Sequence, residues 1–284
     1  MKIKFLGTAS SHSSPLPFCD CKMCSASRKF VGKDFRKRSS ILINEDLLID
    51  MGPDFMSSSF VHGVDTTNIR YWLQTHSHSD HFSASHLITR ISEYATENIK
   101  SLSLYASSLC IKNMSEQLGS EEYGANLFET KWLNKLSLEI NKVNYGETIQ
   151  CGSYSVVAFN ANHDDKDGSS IYLVSDNSCN IFYGLDTGGI TVETYNYLED
   201  NHICLDIVIL DHTYGYDVKA TDHLTANKFI ETIIEMRNRN IIRQNTKIFA
   251  SHISHEGNLL HDEFVLFAEK HGYDVAFDGL VILC

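Results

Sequence analysis

Four side chains that commonly bind metal ions lie within six residues, in the segment Thr75-His-Ser-His-Ser-Asp-His81. His76 and His78 are two residues apart, and at strand-like spacing both imidazoles point the same way, so they can bind one ion. Asp80 and His81 follow on the turn into the next element and would face a second ion close by. Imidazole nitrogens together with a carboxylate oxygen suit zinc or manganese better than calcium or magnesium. The segment therefore predicts a metal site rather than a polar surface loop.

The elements that must hold this cluster are short strands followed by polar residues. Sequence patterns predict strands at 2–6, 39–44, 47–50, 70–75, 138–143, 154–160, 170–175, 180–185, 207–210 and 247–250, and helices at 82–94, 225–237 and 259–269. Loops that follow strands are where ligand groups converge in layered α/β proteins. We therefore expect an α/β fold with a single domain, 1–284, and a helical insertion around 106–135. The polar residues that follow the strands are Asp50, His76, His163, Asp186, Asp211 and His252.

The motif His76-x-His78-x-Asp80-His81 after a strand resembles the hallmark of the metallo-β-lactamase superfamily. That resemblance implies an αββα sandwich with a metal site at one edge of its two sheets. It also implies that His163 completes the ligands of the first ion, with His76 and His78. The second ion would be bound by Asp80, His81 and His252. The remaining landmarks are Asp186, which would bridge both ions, and Asp50, which would support the ligands from behind.

A second candidate site is the array Cys19-Asp-Cys21-Lys-Met-Cys24, with three thiols in six residues. Three thiolates suit tetrahedral zinc, but a structural zinc site needs a fourth ligand. His255 follows His252 by three residues, so one histidine can face the catalytic metals while the other faces the cysteines. This combination resembles the phosphodiesterase branch of the superfamily, typified by the cyclic ribose phosphate phosphodiesterase of bacterial carbon–phosphorus lyase pathways. The other cysteines are expected to be small core residues; they are Cys110, Cys151, Cys179, Cys204 and Cys284.

Two further segments carry histidines near the expected site. Thr221-Asp-His223-Leu-Thr opens a helix, and in the phosphodiesterase branch and the related ribonuclease Z group a histidine of this region reaches towards the scissile phosphate. We therefore expect His223 to be catalytic, together with Asp80 on the metals. Asp211-His212 could supply a ligand, but the other residues already complete two sites. We expect Asp211 and His212 to shape the pocket behind the metals.

The charge balance restricts the partners of the protein. The chain has 284 residues and a formal net charge of −12, which disfavours non-specific attraction to nucleic acid or anionic lipid. A small phosphodiester stays compatible, because bound metal ions invert the charge locally. The sequence has no apolar run near the roughly eighteen residues that span a bilayer, and its first residues lack a signal-peptide pattern. We expect a cytoplasmic protein without a large nucleic-acid or membrane partner; homodimerisation stays open.

The expected activity is hydrolysis of a small cyclic or nucleotide-like phosphodiester by two divalent ions, zinc or manganese, beside one structural zinc. A hydroxide between the two ions would attack phosphorus, since coordination lowers the pKa of water to about 7. His223 would stabilise the phosphoryl oxygens or protonate the leaving group. The alternatives are a tRNA-processing nuclease like ribonuclease Z, a lactonase or thioesterase on the same metals, a non-catalytic metabolite-binding protein and an iron-dependent oxidoreductase.

Overall fold

Two seven-stranded sheets form the centre of the computed structural model, which describes residues 1–94 and 99–284. The strands are β1 (Lys2–Gly7), β2 (Ser40–Ile43), β3 (Leu47–Ile49), β4 (Tyr71–Leu73), β5 (Leu102–Ala106), β6 (Leu138–Lys142), β7 (Thr148–Cys151), β8 (Tyr154–Asn160), β9 (Ser170–Ser175), β10 (Asn180–Gly184), β11 (Leu205–Asp211), β12 (Ile242–Ser251), β13 (Asp274–Val275) and β14 (Val281–Leu283). The α-helices are α1 (Lys22–Phe30), α2 (Phe55–Val61), α3 (Ala84–Ile88), α4 (Ser108–Ser120), α5 (Thr130–Leu136), α6 (Val192–Asp200), α7 (Ala226–Asn238) and α8 (His261–His271).

The strand order is β14-β1-β2-β3-β4-β5-β6 in the first sheet and β13-β12-β11-β10-β9-β8-β7 in the second. In the first sheet, pairing is antiparallel from β14 to β3 and parallel from β3 to β6. In the second sheet, pairing is antiparallel from β7 to β10 and parallel from β10 to β13. Each sheet therefore has a parallel half, and the loops beyond the carboxyl ends of such strands are suited to hold a ligand.

Apolar side chains pack in one layer between the sheets and in one layer on the outer face of each sheet. Phe5 of the first sheet and Phe249 of the second meet in the central layer, with ring centroids 5.8 Å apart. On the outer face of the second sheet, Phe182 packs with Phe229 of α7. On the outer face of the first sheet, the apolar layer includes Met114 of α4. This arrangement of helices, two sheets and helices confirms the predicted αββα sandwich.

The segment interpreted as a helical insertion, 106–135, contains α4 and most of α5 and lies between β5 and β6. These two strands are parallel neighbours, so the chain must cross from the end of one to the start of the other, and a helix usually makes that crossing. Met114 and Leu118 of α4 are completely buried, as is Leu136 of α5. The two helices therefore form the crossover and cover the outer face of the first sheet.

The helix expected at 82–94 is shorter, because α3 ends at Ile88. Beyond it, the backbone N–H groups of Arg90 and Ile91 donate to carbonyls three residues earlier, which is the tighter pattern of 3₁₀ turns. Leu87 and Ile91 are nevertheless completely buried. The apolar spacing that predicted an α-helix thus correctly indicates burial, and the backbone achieves that burial with turns.

The five isolated cysteines do not share one environment. Cys110 and Cys151 are completely buried, as expected for small core residues. Cys179 is also buried in the central layer, but it forms a disulfide with Cys284 across 105 residues of sequence, and the expectation is wrong for Cys284. Cys284 is exposed, and the bond joins the residue after β14 of the first sheet to the turn before β10 of the second.

Candidate metal centre

The histidines and aspartates predicted from the sequence converge at the ends of the strands. Asp50 directly follows β3, His76 follows β4, and Asp186 follows β10. Asp50, Asp186 and His252 have backbone φ angles of 64°, 51° and 59°, in the left-handed region that side chains with a Cβ rarely adopt. Each such angle costs on the order of 1–3 kcal/mol, and the surrounding structure must compensate for it. Such strain at three polar residues of one cluster is typical of a functional site.

Two glycines let the loops of the cluster pack closely. A Cβ at Gly52 would lie 2.1 Å from the backbone oxygen of Asp80, so only glycine allows the loop after β3 to contact the loop after β4. A Cβ at Gly188 would lie 1.8 Å from the backbone oxygen of Thr221, which ties the loop of Asp186 to the segment that carries His223. Both close contacts hold site residues from different strands together.

The first cluster consists of His76, His78 and His163. Nε2 of His76 lies 3.0 Å from Nδ1 of His78, and Nε2 of His163 lies 3.4 Å from the same Nδ1 atom. A tetrahedral zinc ion with bonds of about 2.05 Å separates its nitrogen ligands by about 3.3 Å. Burial lowers the pKa of His76 well below its ordinary value, so this imidazole is neutral and its lone pair can bind a metal. The three nitrogens therefore suit one ion.

The second cluster consists of Asp80, His81, Asp186 and His252, all of which are buried. Nε2 of His81 lies 3.0 Å from Oδ2 of Asp186, and Nε2 of His252 lies 3.2 Å from Oδ1 of Asp186. Within the described part of the chain, none of His81 Nε2, His252 Nε2 and Asp186 Oδ2 makes a hydrogen bond of acceptable geometry. Buried polar atoms without partners are costly unless another group binds them, and a divalent cation would bind all three.

Imidazoles and carboxylates lie close together in the second cluster, and each type of group shifts the pKa of the other. Burial lowers the pKa of His81, but the carboxylates of Asp186, Asp80 and Asp50 outweigh that effect and raise it well above its ordinary value. Burial likewise raises the pKa values of Asp80 and Asp186, but the neighbouring histidines outweigh it and keep both well below the usual range. Both aspartates are therefore ionised at neutral pH and available to a cation.

Asp50 connects the two clusters from behind. Its Oδ2 atom lies 2.7 Å from Nδ1 of His81, and its carboxylate accepts hydrogen bonds from the backbone and the hydroxyl of Thr75. The Thr75 hydroxyl in turn lies 3.0 Å from Nδ1 of His76. One carboxylate thus orients an imidazole of each cluster and leaves both Nε2 atoms facing the metal positions.

A second hydrogen-bonded group is built around Asp211 at the end of β11. Nδ1 of His223 donates to Oδ2 of Asp211 at 2.7 Å, and the hydroxyl of Thr213 donates to Oδ1 at 2.8 Å. Burial would lower the pKa of His223, but the carboxylate of Asp211 outweighs burial and raises it to about 9. The ring centroid of His223 lies 4.9 Å from that of His163 and 5.2 Å from that of His252. A cationic imidazole therefore borders both clusters.

The cysteine array also meets its expected partner. Nδ1 of His255 lies 3.5 Å from Sγ of Cys19 and 3.4 Å from Sγ of Cys21. The donor atoms of Cys19, Cys21, Cys24 and His255 all lie within 4.8 Å of one another. With typical bond lengths, a tetrahedral zinc ion separates sulfur and nitrogen ligands by about 3.5 Å, which these distances match. The four residues therefore suit a structural zinc ion.

His212 is the predicted site residue that the structure places elsewhere. Its ring packs against Phe229, Phe264 and Tyr273 in the outer layer of the second sheet. Burial lowers the pKa of His212 to about 4. The expectation that it shapes the pocket behind the metals is wrong, because it follows Asp211 directly and neighbouring residues of a strand point to opposite faces.

Three residues that contact the predicted ligands were not singled out in the sequence. They are Thr75, Thr213 and Asp167. The first two had a signal, because Thr75 adjoins the histidine motif and Thr213 is two residues beyond Asp211, on the same face of the chain. Asp167 lies in the acidic loop 164–168, which indicates a border of the pocket but identifies no ligand, and its contact with His78 joins residues 89 positions apart.

Comparison with known proteins supports the family expected from the sequence. The model of the beta-lactamase superfamily domain matches residues 45–243. The chain belongs to the metallo-β-lactamase superfamily. A comparison with curated proteins gives no significant match. In the part of the chain that the structure describes, no helix of this superfamily member is long and apolar enough to cross a membrane.

Solved structures of the same fold include proteins of several different kinds. A new diphosphatase from the PhnP family has a TM-score of 0.72 and 21% identity, with 100% of this chain and 97% of that chain covered. Zinc-bound PqqB from Methylobacterium extorquens has a TM-score of 0.71 and 16% identity, with 100% of both chains covered. The short form of human tRNase Z has a TM-score of 0.64 and 15% identity, with 100% and 99% covered. At these identities the likeness establishes the shared fold.

Proposed function

We propose that this superfamily member is a metal-dependent hydrolase that cleaves a small cyclic or nucleotide-like phosphodiester. The observation that carries the proposal is the position of His223, which borders both metal-ligand clusters and is held by Asp211 at 2.7 Å. A cationic imidazole at this position can donate a proton to a leaving alkoxide or stabilise phosphoryl oxygens. Lactone hydrolysis depends less on such a cation, because its tetrahedral transition state carries less negative charge than that of a phosphodiester attacked by hydroxide.

Each residue of the site has a separate role in the proposed reaction. His76, His78 and His163 would bind one divalent ion, Asp80, His81 and His252 would bind the other, and Asp186 would bridge them. The two ions would supply a water nucleophile at neutral pH and neutralise charge on the phosphoryl group. Asp50 and Thr75 orient the histidines behind the ions, while Asp211 and Thr213 fix the ring of His223. The cysteine site would position the loop of His252 without contacting substrate.

The charge on the accessible side of the site favours a small substrate. The side chain of His78 is 39% exposed, and those of His163 and His223 are 10% and 11% exposed, so this side of the site is the accessible one. Asp164 lies 4.0 Å from His78 and is exposed on the same side. Negative charge on this side repels a long polyanion more strongly than it repels a single diester held by the metals. A long polyanion also binds through many phosphates, each of which must lose its counterions.

Hydrolysis assays with purified, metal-loaded protein test the proposal. We expect turnover of bis(p-nitrophenyl) phosphate and of small cyclic nucleotide diesters, with little cleavage of a precursor tRNA. Simple lactones and thioesters serve as the comparison on the same preparation. Lactone turnover without diester turnover would contradict the proposed chemistry, and efficient cleavage of the precursor tRNA would contradict the proposed substrate size. Metal analysis of the same sample should give about two catalytic ions and one zinc, as the donor sets require.

A further inference from the structure

His78 is the most exposed of the three histidines in the first cluster, with 39% of its side chain accessible against 10% for His163. Packing therefore restrains its ring less than it restrains the buried ring of His76. Yet its Nδ1 atom points to within 3.0 Å of His76 Nε2 and 3.4 Å of His163 Nε2. An exposed imidazole needs another contact to hold it in that orientation.

The other ring nitrogen of His78 makes this contact. Nε2 of His78 lies within hydrogen-bond distance of Oδ2 of Asp167, whose side chain is only 14% exposed. A carboxylate can only accept, so this contact favours the tautomer of His78 with its proton on Nε2, which leaves the lone pair of Nδ1 for a metal ion. The contact thus favours one tautomer of His78 and restrains its ring from the side opposite Nδ1.

Asp167 is itself held by two elements. Its Oδ1 atom accepts hydrogen bonds from the hydroxyl of Ser77, at 3.1 Å, and from Nδ2 of Asn113 in α4, at 2.9 Å. Asn113 also donates to the backbone oxygen of Lys166 at 3.1 Å, and Ser107 donates to that of Gly168 at 2.7 Å. The loop that carries Asp167 is therefore fastened to the start and the first half of α4.

We propose that Asp167 is a positioning residue for the metal ion bound by His76, His78 and His163, and that α4 holds it in place through Asn113. The inference rests on the proposed metal centre and is independent of the substrate. Carboxylates that orient a ligating imidazole in this way typically contribute about 10–100-fold to metal affinity. Asp167 contacts His78 of the first cluster, whereas His81 of the second cluster is held directly by Asp50, so we expect the contribution of Asp167 to be confined to the first ion.

Asp164, in the same loop as Asp167, provides the matched control. Asp164 carries the same charge, but its Oδ2 atom is 4.0 Å from His78 Nε2 and its Oδ1 atom accepts from the backbone N–H of Lys166. Asp167→Ala and Asp164→Ala therefore remove equal charge near the site, while only the first removes the close carboxylate contact with Nε2 of His78.

Zinc binding to the metal-free full-length protein, measured by competition with a chromogenic chelator, tests the proposal without any substrate. Asp167→Ala should weaken one of the two catalytic ions about 10–100-fold and leave the other ion and the cysteine-bound zinc unchanged. Asp164→Ala should bind all ions within about twofold of wild type. Cobalt absorption spectra should show a changed ligand field at one site in Asp167→Ala only.

Two results would overturn the inference: wild-type affinity in Asp167→Ala, or equal weakening in both alanine variants, which would indicate a charge effect alone. If Asp167→Ala does not fold, the isosteric pair Asp167→Asn and Asp164→Asn decides the same question. The amide oxygen that Asp167→Asn introduces can still accept from His78, so this variant should weaken binding less than the loss of the side chain. Because these readouts involve metal only, a failed diester assay would leave the inference standing.

Discussion

Nδ1 of His223 and Nδ1 of His252 share a single hydroxyl, that of Thr213, at 3.1 Å and 2.7 Å. The same hydroxyl donates to Asp211, whose other carboxylate oxygen accepts from His223. The proposed proton donor and a proposed metal ligand are therefore fixed by one anchor at the end of β11. Because both imidazoles contact this hydroxyl, a displacement of one must disturb the other. The shared contact therefore fixes the position of His223 relative to the proposed ligand His252.

Replacement of His223 by alanine separates catalysis from metal binding. We expect His223→Ala to lower the diester turnover number about 10²–10⁴-fold, the usual contribution of a general acid, while metal content stays at the wild-type level. Asp211→Asn should have a smaller effect in the same direction, because an amide stabilises the imidazolium less than a carboxylate does. Turnover rates and metal analysis on the same preparations check this. Parallel loss of metal and activity in His223→Ala would show that the histidine is structural.

The shared anchor is tested at Thr213 itself. Thr213→Val keeps the shape of the side chain and removes the hydroxyl, so both His252 and His223 lose a partner. We expect turnover to fall at least about tenfold and affinity for one metal ion to fall as well, since groups behind metal ligands commonly contribute about 10–100-fold. Thr213→Ser retains the hydroxyl and should restore most of both properties. Failure of Thr213→Ser to restore either property would contradict the assigned role of the hydroxyl.

Local sequence patterns predicted most strands of the two sheets, whereas elements that depend on contacts with distant residues were missed. The strands that carry the ligands are apolar runs that end at a polar residue, as in Leu205–Asp211, and such local patterns are visible in the sequence. Strand β7 is among the elements that were not predicted, because its segment, Thr148–Cys151, has two exposed residues and little apolar contrast. At such an edge, pairing with a neighbouring strand decides the structure, and pairing is a tertiary property.

Some residues of the candidate site were likewise predicted from local sequence, and others were not. His76 and His78 were predicted from their own spacing, whereas His163 and His252 needed the resemblance to the superfamily, because the fold alone brings them to the cluster. The position of His212 contradicted the expectation although a local rule was available: it alternates with Asp211, so both cannot face the metals. The role of Asp167 could not be anticipated, since its contact with His78 depends on how a loop packs on α4.

The cysteine site should bind a zinc ion that resists mild chelation. Cys21→Ser removes one thiolate, so the zinc retained after treatment with a weak chelator should fall from about one per chain to about none. Resistance to thermal unfolding should fall with it, because the site joins the start of α1 to the loop of His255. Cys204→Ser is the control, since Cys204 is a free cysteine outside the cluster. Retention of the zinc in Cys21→Ser would rule out the assigned ligands.

Far from the metal centre, a buried histidine should make stability depend on pH. Nδ1 of His261 lies 3.0 Å from Nη2 of the completely buried Arg36, its backbone N–H donates to Asp34, and Lys33 adds further positive charge. Burial has the largest effect on the pKa of His261, followed by the positive charges of Arg36 and Lys33, and together they lower this pKa to about 4. The carboxylate of Asp262 opposes them weakly.

Because the unfolded chain binds this proton near pH 6.5 and the folded chain only near pH 4, His261 contributes stability above pH 6.5 that is lost as the pH falls towards 4. Each pH unit in this window corresponds to about 1.4 kcal/mol, so the total is about 3 kcal/mol. His261→Asn keeps an acceptor for Arg36 and does not titrate. Urea unfolding of both proteins between pH 4 and 7.5 should therefore give a wild-type advantage that shrinks on acidification. A difference between the two proteins that is constant over this range would show that His261 takes up its proton equally well in the folded state.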